Sequence, residues 1–493
     1  MTTSLAILGV VFAVAIALGL LAKRGHTMTL EQWSVGGRGF GSIFVFLLMA
    51  GEIYTTFTFL GGSGWAYGKG APALYILCYL TLAYSLSYFL LPAIWRYSQG
   101  RRLISQADFF ISKYESPALG MLVSVVGVAA LIPYLVLQLK GLGIIVSEAS
   151  YGAISPTAAI WSGTAALIGY VVVSGVRGSA WTAALKDVMI LVIVVAMGIY
   201  LPLHYYGGYG AMFEAIDHAK PGLLTLPAAG MSQSWFISTV LLTSVGVYTW
   251  PQFFAGVYTA RGENVFRKNA VVLPLYQLVV LFVFFVGFAA SLVVPGLTGP
   301  DADLSLFRVA KLAFAPWAVG MIGGAGLLTA LVPGSMLLIT AATILGKNVF
   351  GALAPSSSEH TIGIVARAMV PVLALFALYL TLQGGQAIVM LLLMGYNVVT
   401  QLFPALVLSF GHKPRISAKA ALSGILAGEL TVAAITLSGT TIARLAPALP
   451  QVVKDLNIGI VALAVNVAVI ALVTLVTRRP VPAQQRPATV PAA

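Results

Sequence analysis

The sequence predicts an all-α integral membrane protein of about thirteen transmembrane helices, two of them discontinuous. Three observations carry that prediction. The 493 residues are 59% hydrophobic and only 8% charged, with a mean hydropathy of +0.96, the composition of a chain that meets lipid over much of its surface. About thirteen apolar runs are long enough to cross a bilayer. Two of those runs are interrupted by residues that break helices.

The first span, about 4–22, is closed by Lys23 and Arg24. No basic n-region or small-residue cleavage site accompanies it, so no cleaved signal peptide is expected. The second, 41–68, carries Gly51 and Glu52 near its middle, then Thr55, Thr56 and Thr58, then Gly61, Gly62 and Gly64. A carboxyl at membrane depth is costly and by default marks an ion or substrate path. Glycines beside it favour an unwound helix, and exposed backbone at that depth is tolerated only around a cavity. At helical spacing Glu52, Thr55, Thr56 and Phe59 share one face. The blander role for such a span is packing through small residues, with Glu52 paired to a neighbour.

The third span, about 71–95, leads into the basic loop RYSQGRRLISQADFFISKYES. The fourth, 119–146, contains Tyr134, Gln138 and Lys140. A short loop with Arg177 separates the fifth, 156–173, from the sixth, 181–201. A polar loop, 204–232, carries a short surface helix at GAMFEAIDHAK. The seventh, 235–258, is interrupted by VGVYTWPQ, where Pro251 lacks an N–H and clashes with the preceding turn. The eighth is 271–294, and a second outer loop precedes the ninth, 318–345, which holds Thr329, Pro333, Ser335, Thr340 and Thr343. Spans ten to thirteen are 362–382, 386–410, 420–437 and 458–476. The Pro/Ala-rich residues 478–493 are expected to be a disordered cytoplasmic tail, and 1–477 a single transmembrane unit.

Charge sets the orientation. With the N-terminus outside, 20 of the 27 Lys and Arg fall on the inner side, counting Lys186 at the foot of span six. Six lie outside (Lys69, Lys220, Arg308, Lys311, Arg444 and Lys454), and Lys140 alone lies within a span. The net charge of +13 therefore reads as membrane topology, with anionic lipid as the contact, and not as nucleic-acid binding. A single cysteine, Cys78, excludes an internal disulfide and a cysteine metal cluster. The two interrupted spans stand five apart, the pattern of an inverted-repeat transporter with its site near the midplane. The repeats would be about 41–202 and 233–410.

At this point the chain resembles the solute:sodium symporter family. The carrying residues are LGGSGWAYGKG after the break in span two, GVRGSAWTAALKD entering span six and LLTALVPGSMLLITAATILGKNVF in span nine. Within the family, AGEIYTTFTFLGGSGWAYGKG is most similar to the bacterial monocarboxylate permease branch. The resemblance implies a five-plus-five inverted-repeat (LeuT-type) fold and secondary active transport. It implies a cation site between spans two and nine, with backbone carbonyls falling at Gly51, Tyr54 and Thr329. The family's two hydroxyl ligands fall at Val332 and Pro333, which have none. A hard cation needs oxygen ligands, so that site looks weakened here unless Ser335 or Thr329 substitutes. An acid that some members carry in span six falls at Ala183, and Asp187 lies a turn deeper beside Lys186. Pairing is the expected role of those two.

Glu52 sits where the cation would lie, and a low-dielectric site favours a carboxyl's neutral form. The expectation is therefore coupling to a proton through Glu52, with sodium as the alternative. For substrate, the resemblance points to spans two, four and seven: Glu52, Thr55, Thr56, Thr58, Tyr134, Gln138, Tyr248 and Trp250. Half-helix N-termini can hold a carboxylate there. Lys140 could hold it directly, or pair with Glu148. The expected function is import of small monocarboxylates such as lactate, pyruvate or propionate. The alternatives are sodium-coupled uptake of a small amino acid such as alanine or proline, or a channel or transporter-like sensor. An enzyme is not expected: all five histidines read as loop residues and no nucleotide-binding GxxxxGK[ST] appears. No cofactor, metal or obligate protein partner is implied. The expected location is a bacterial cytoplasmic membrane, with the C-terminus inside.

Overall fold

A computed structural model describes residues 2–22, 24–25 and 28–477, so the expected tail, 478–493, lies outside the described residues. Those residues fold into helices, joined by one isolated bridge between Phe40 and Ala260. Ten helices are long and apolar enough to cross a membrane. Many begin at a serine whose hydroxyl accepts a hydrogen bond from an N–H of the first turn. Ser116 and Ser155 do this ahead of Pro117 and Pro156, which set the first helical φ without losing a bond. The Pro316–Leu353 helix runs through the centre, with its most apolar stretch entirely buried. Thr2–Ala22 and Ile458–Thr477 flank the molecule with only 22% of theirs buried.

Three segments depart from simple spans. The first is 42–68, where Ser42–Gly51 stops, the chain turns through 52–56, and a wide π turn, Phe57–Gly62, leads into Ser63–Gly68. The second is Gln233–Gly246 followed by Pro251–Thr259, with Trp250 extended between them. Both breaks stand where glycine, threonine and proline weaken the helix. The third is Pro156–Tyr206: two helices meet at Gly175, whose φ and ψ are not helical, so the expected connection between 156–173 and 181–201 is a sharp break at one residue. Gly175 has φ of +57°, a conformation that glycine takes freely, and a Cβ there would stand 2.8 Å from the Trp33 carbonyl oxygen. Because the second helix begins directly after Gly175, Lys186 lies eleven residues beyond the break and not at the foot. It lies inside, with no exposed surface.

The expected surface helix forms as Tyr209–Ala219, and the second outer loop contains the helix Ser305–Ala313. His204, His218 and His360 stand on helix ends and not in loops as expected. Among the described residues no group of His, Cys, Asp and Glu is arranged to hold a metal.

Close helix contact fixes the C-terminal half of the first broken segment. A Cβ on Gly287 would stand 2.1 Å from the Ser63 carbonyl oxygen and 2.8 Å from Ala66 Cβ. Backbone cannot give way there as a side-chain tip can. Gly287→Ala should therefore lower the melting temperature of the purified protein, an overpacking cost of about 1–3 kcal/mol. Gly169→Ala, in a helix with nothing within 4 Å of the new Cβ, should leave it unchanged or raised. Equal effects of the two substitutions would refute the contact.

Candidate functional site

The turn at 52–56 leaves backbone groups without helical partners, and side chains supply them. Thr58 Oγ1 donates to Ile53 O (2.7 Å) and accepts from Thr55 N–H (3.2 Å), while Thr55 Oγ1 accepts from Phe57 N–H (3.1 Å). Tyr84 OH donates to Met49 O at 3.0 Å. Lys186 Nζ donates to Gly51 O (3.0 Å) and Tyr54 O (3.1 Å) and pairs with Asp187 Oδ1 at 3.0 Å. Thr55, Thr56 and Thr58 are fully buried. Thr56 Oγ1 donates to Gln138 Oε1 at 2.7 Å and binds the break to the Pro117–Ala149 helix. Gly141 lets that helix approach, since a Cβ there would meet Thr56 at 2.5 Å.

Glu52 turns the other way, towards the second break. Its Oε2 accepts from Gln252 Nε2 at 3.4 Å. Glu52 and Gln252 share a small cavity of about 30 Å³ with Tyr84, Tyr134, Trp250 and Tyr396. That is room for one or two water molecules. The wall is aromatic: Trp250 meets Tyr134 and Tyr396 edge to face, each at a centroid distance of 5.3 Å. Pro251 starts the Pro251–Thr259 helix here, so the positive end of that helix stands at the cavity edge, with the Phe253 and Phe254 N–H groups turned back to Trp250 O (3.1 and 3.4 Å).

The expected substrate residues thus divide. Glu52, Tyr134 and Trp250 line the cavity. The three threonines and Gln138 hold the turn in shape. Tyr248 donates to the Ala83 carbonyl and packs on Phe253. Lys140 is elsewhere: its ammonium binds Asp303 Oδ2 (3.0 Å) and Gln386 O (2.7 Å). Nor does it pair with Glu148, whose carboxylate is held by Arg308 at 3.0 Å and by Lys311. Gln252, Tyr84 and Tyr396 escaped the sequence reading. Gln252 had a signal, its place next to the helix-breaking Pro251. A tyrosine in an apolar span has none.

The expected ion residues meet less completely. Gly51 and Tyr54 point their carbonyls at one spot, but Lys186 fills it. A Cβ on Gly51 would lie 3.5 Å from Lys186 Nζ, 3.7 Å from Val332 Cγ1 and 3.9 Å from Ala183 Cβ, so three helices converge there. Thr329 Oγ1 donates to Gly326 O (2.5 Å), and Ser335 Oγ binds Ser179 Oγ (2.6 Å) and Val332 O (2.6 Å). Neither hydroxyl is drawn to the Gly51 and Tyr54 carbonyls, and Pro333 lies buried within its helix.

Two charged clusters lie outside the cavity lining. At one, Asp108 caps Gln106–Tyr114 through Ser105 and binds Lys347 Nζ (2.6 Å) and Asn348 Nδ2 (2.8 Å). Burial pushes the Asp108 carboxyl up, but the Lys347 ammonium and the donors of Ile104 and Asn348 outweigh it and hold the group below its ordinary value. At the other, Asp303 accepts from Lys140 and from Ile388 N–H (3.1 Å).

Residues 33–428 match the model of the Sodium:solute symporter family. The chain is 60% identical to "Uncharacterized symporter YhjB" of Bacillus subtilis (strain 168), over 97% of this chain and 98% of that one. It is 27% identical to a "Monocarboxylate transport permease protein" of Rhizobium johnstonii over 71% of each chain. Among solved structures, that of a Na+-coupled sialic acid symporter in a substrate-bound outward-open state superposes with a TM-score of 0.76 at 16% identity, covering 96% of this chain and 97% of that one. The likeness to that structure shows a shared fold. Its broken helices, multi-pass architecture and family match define it as a symporter and not an enzyme: the chain belongs to the sodium:solute symporter family.

Proposed function

We propose that the protein imports small monocarboxylates of the lactate, pyruvate or propionate type across a bacterial cytoplasmic membrane, each with a proton. In this reading the chain crosses thirteen times, with its N-terminus outside. Residues 41–202 and 233–410 form five-plus-five inverted repeats. The observation that carries the reading is the meeting of Glu52 and Gln252, one from each broken segment, across one small aromatic cavity. Ligands bind where discontinuous helices face each other, and a helix N-terminus favours a carboxylate. Gln252 Nε2 and the Tyr134 and Tyr396 hydroxyls add donors, and Glu52 carries the proton. The wall of Tyr134, Trp250 and Tyr396 restricts the size of the substrate. The printed name of the Rhizobium relative supports the carboxylate class. A small amino acid is the competing class.

The test is uptake of labelled lactate into liposomes holding the purified protein. An inward proton gradient in sodium-free buffer should drive accumulation, and an inward sodium gradient at equal pH should not. Excess unlabelled propionate should compete, whereas alanine and proline should not. Competition by the amino acids alone would move the assignment to their class. Glu52→Gln should reduce proton-driven accumulation to the level of protein-free liposomes while lactate exchange persists. Full accumulation by that variant would remove Glu52 from the coupling role.

Trp250→Ala should enlarge the cavity and shift preference towards longer acids. Each methylene newly accommodated is worth about 0.8 kcal/mol, roughly fourfold in the uptake ratio of butyrate to propionate. An unchanged ratio would place the substrate away from Trp250.

A further inference from the structure

The family implies a coupling cation between the first break and the Pro316–Leu353 helix, and the residues here do not fit sodium. A hard cation is held by several oxygens. The oxygens that converge at this point are the Gly51 and Tyr54 carbonyls and the Asp187 carboxylate, and all three already face Lys186 Nζ at 3.0, 3.1 and 3.0 Å. An ammonium has three N–H donors: two reach the Gly51 and Tyr54 carbonyls, and the Asp187 carboxylate stands 3.0 Å away as counter-charge. The remaining near neighbours, Val332 and Ala183, offer methyl groups. Thr329 and Ser335 spend their hydroxyls on their own helix and on Ser179.

We infer that the Lys186 ammonium is a tethered cation that takes the place of the coupling sodium, with Asp187 as its fixed counter-ion. The inference deepens the symport reading, on which it rests, by naming what stands at the coupling position. A buried ammonium needs a counter-charge and hydrogen bonds, and this one has the Asp187 carboxylate at 3.0 Å and two backbone carbonyls, with no exposed surface. It spans the same elements that an ion would, because its helix, the first break and the Val332 turn all meet at Gly51. It is separate from the proposed proton carrier, since Glu52 faces Gln252 across the cavity.

The experiment reads sodium binding without any substrate, so its outcome does not depend on lactate being the right solute. Purified protein is melted in detergent with sodium chloride or choline chloride at equal ionic strength, and binding of labelled sodium is measured alongside. The wild type should show no sodium-specific rise in melting temperature and no saturable binding. Lys186→Ala frees the carbonyls and leaves Asp187 uncompensated. It should therefore gain a saturable, sodium-specific rise, or fold only when sodium is present. A saturable sodium response in the wild type would overturn the inference. So would a folded Lys186→Ala protein indifferent to sodium, which would make the ammonium a strut alone. Should the variant fold in neither salt, the wild type decides: binding refutes the inference and its absence upholds it. Failure of lactate uptake with sodium-inert wild type and sodium-responsive variant would discard the substrate and keep the tethered cation.

Discussion

The carbonyls of Gly51 and Tyr54 have left their helix at a depth where water cannot satisfy them, and the Lys186 ammonium does. Much of the site depends on that contact. With donors provided, the chain can turn through 52–56 and restart as the π turn Phe57–Gly62, which carries the threonines to the Pro117–Ala149 helix. The same turn rotates Glu52 off the Lys186 side and towards Gln252. One buried cation thus permits the break, and the break positions the carboxyl.

The Gly175 bend is what puts the ammonium in place. A straight helix across 51 residues would be far longer than a bilayer is thick. The bend folds it into two limbs, and the second carries Lys186 past the first break. Ser179, about one turn beyond the bend, locks that limb to Ser335 of the central helix. The aromatic cavity, by contrast, is assembled from five helices and owes its shape to packing between Tyr134, Trp250 and Tyr396.

The two breaks were legible in the sequence because glycine beside a carboxyl, and proline within an apolar run, contradict a simple span. Glu52 was legible for the same reason. Lys186 was misplaced because hydropathy sets a basic residue at the end of a span, and only the start of the second helix at the Gly175 break shows how deep it lies. Lys140 and Glu148 were misjudged because their partners, Asp303, Arg308 and Lys311, come from a connecting segment more than 150 residues further on. Tyr84 and Tyr396 join the cavity wall from helices whose relative rotation no local pattern encodes.

The ion pair between Lys186 and Asp187 adds no net charge to the buried site. A pair bound to the polypeptide cannot be discharged into either compartment. Each turnover would return it as it came, so it transfers no current, and the membrane voltage gains no purchase on the carrier through it.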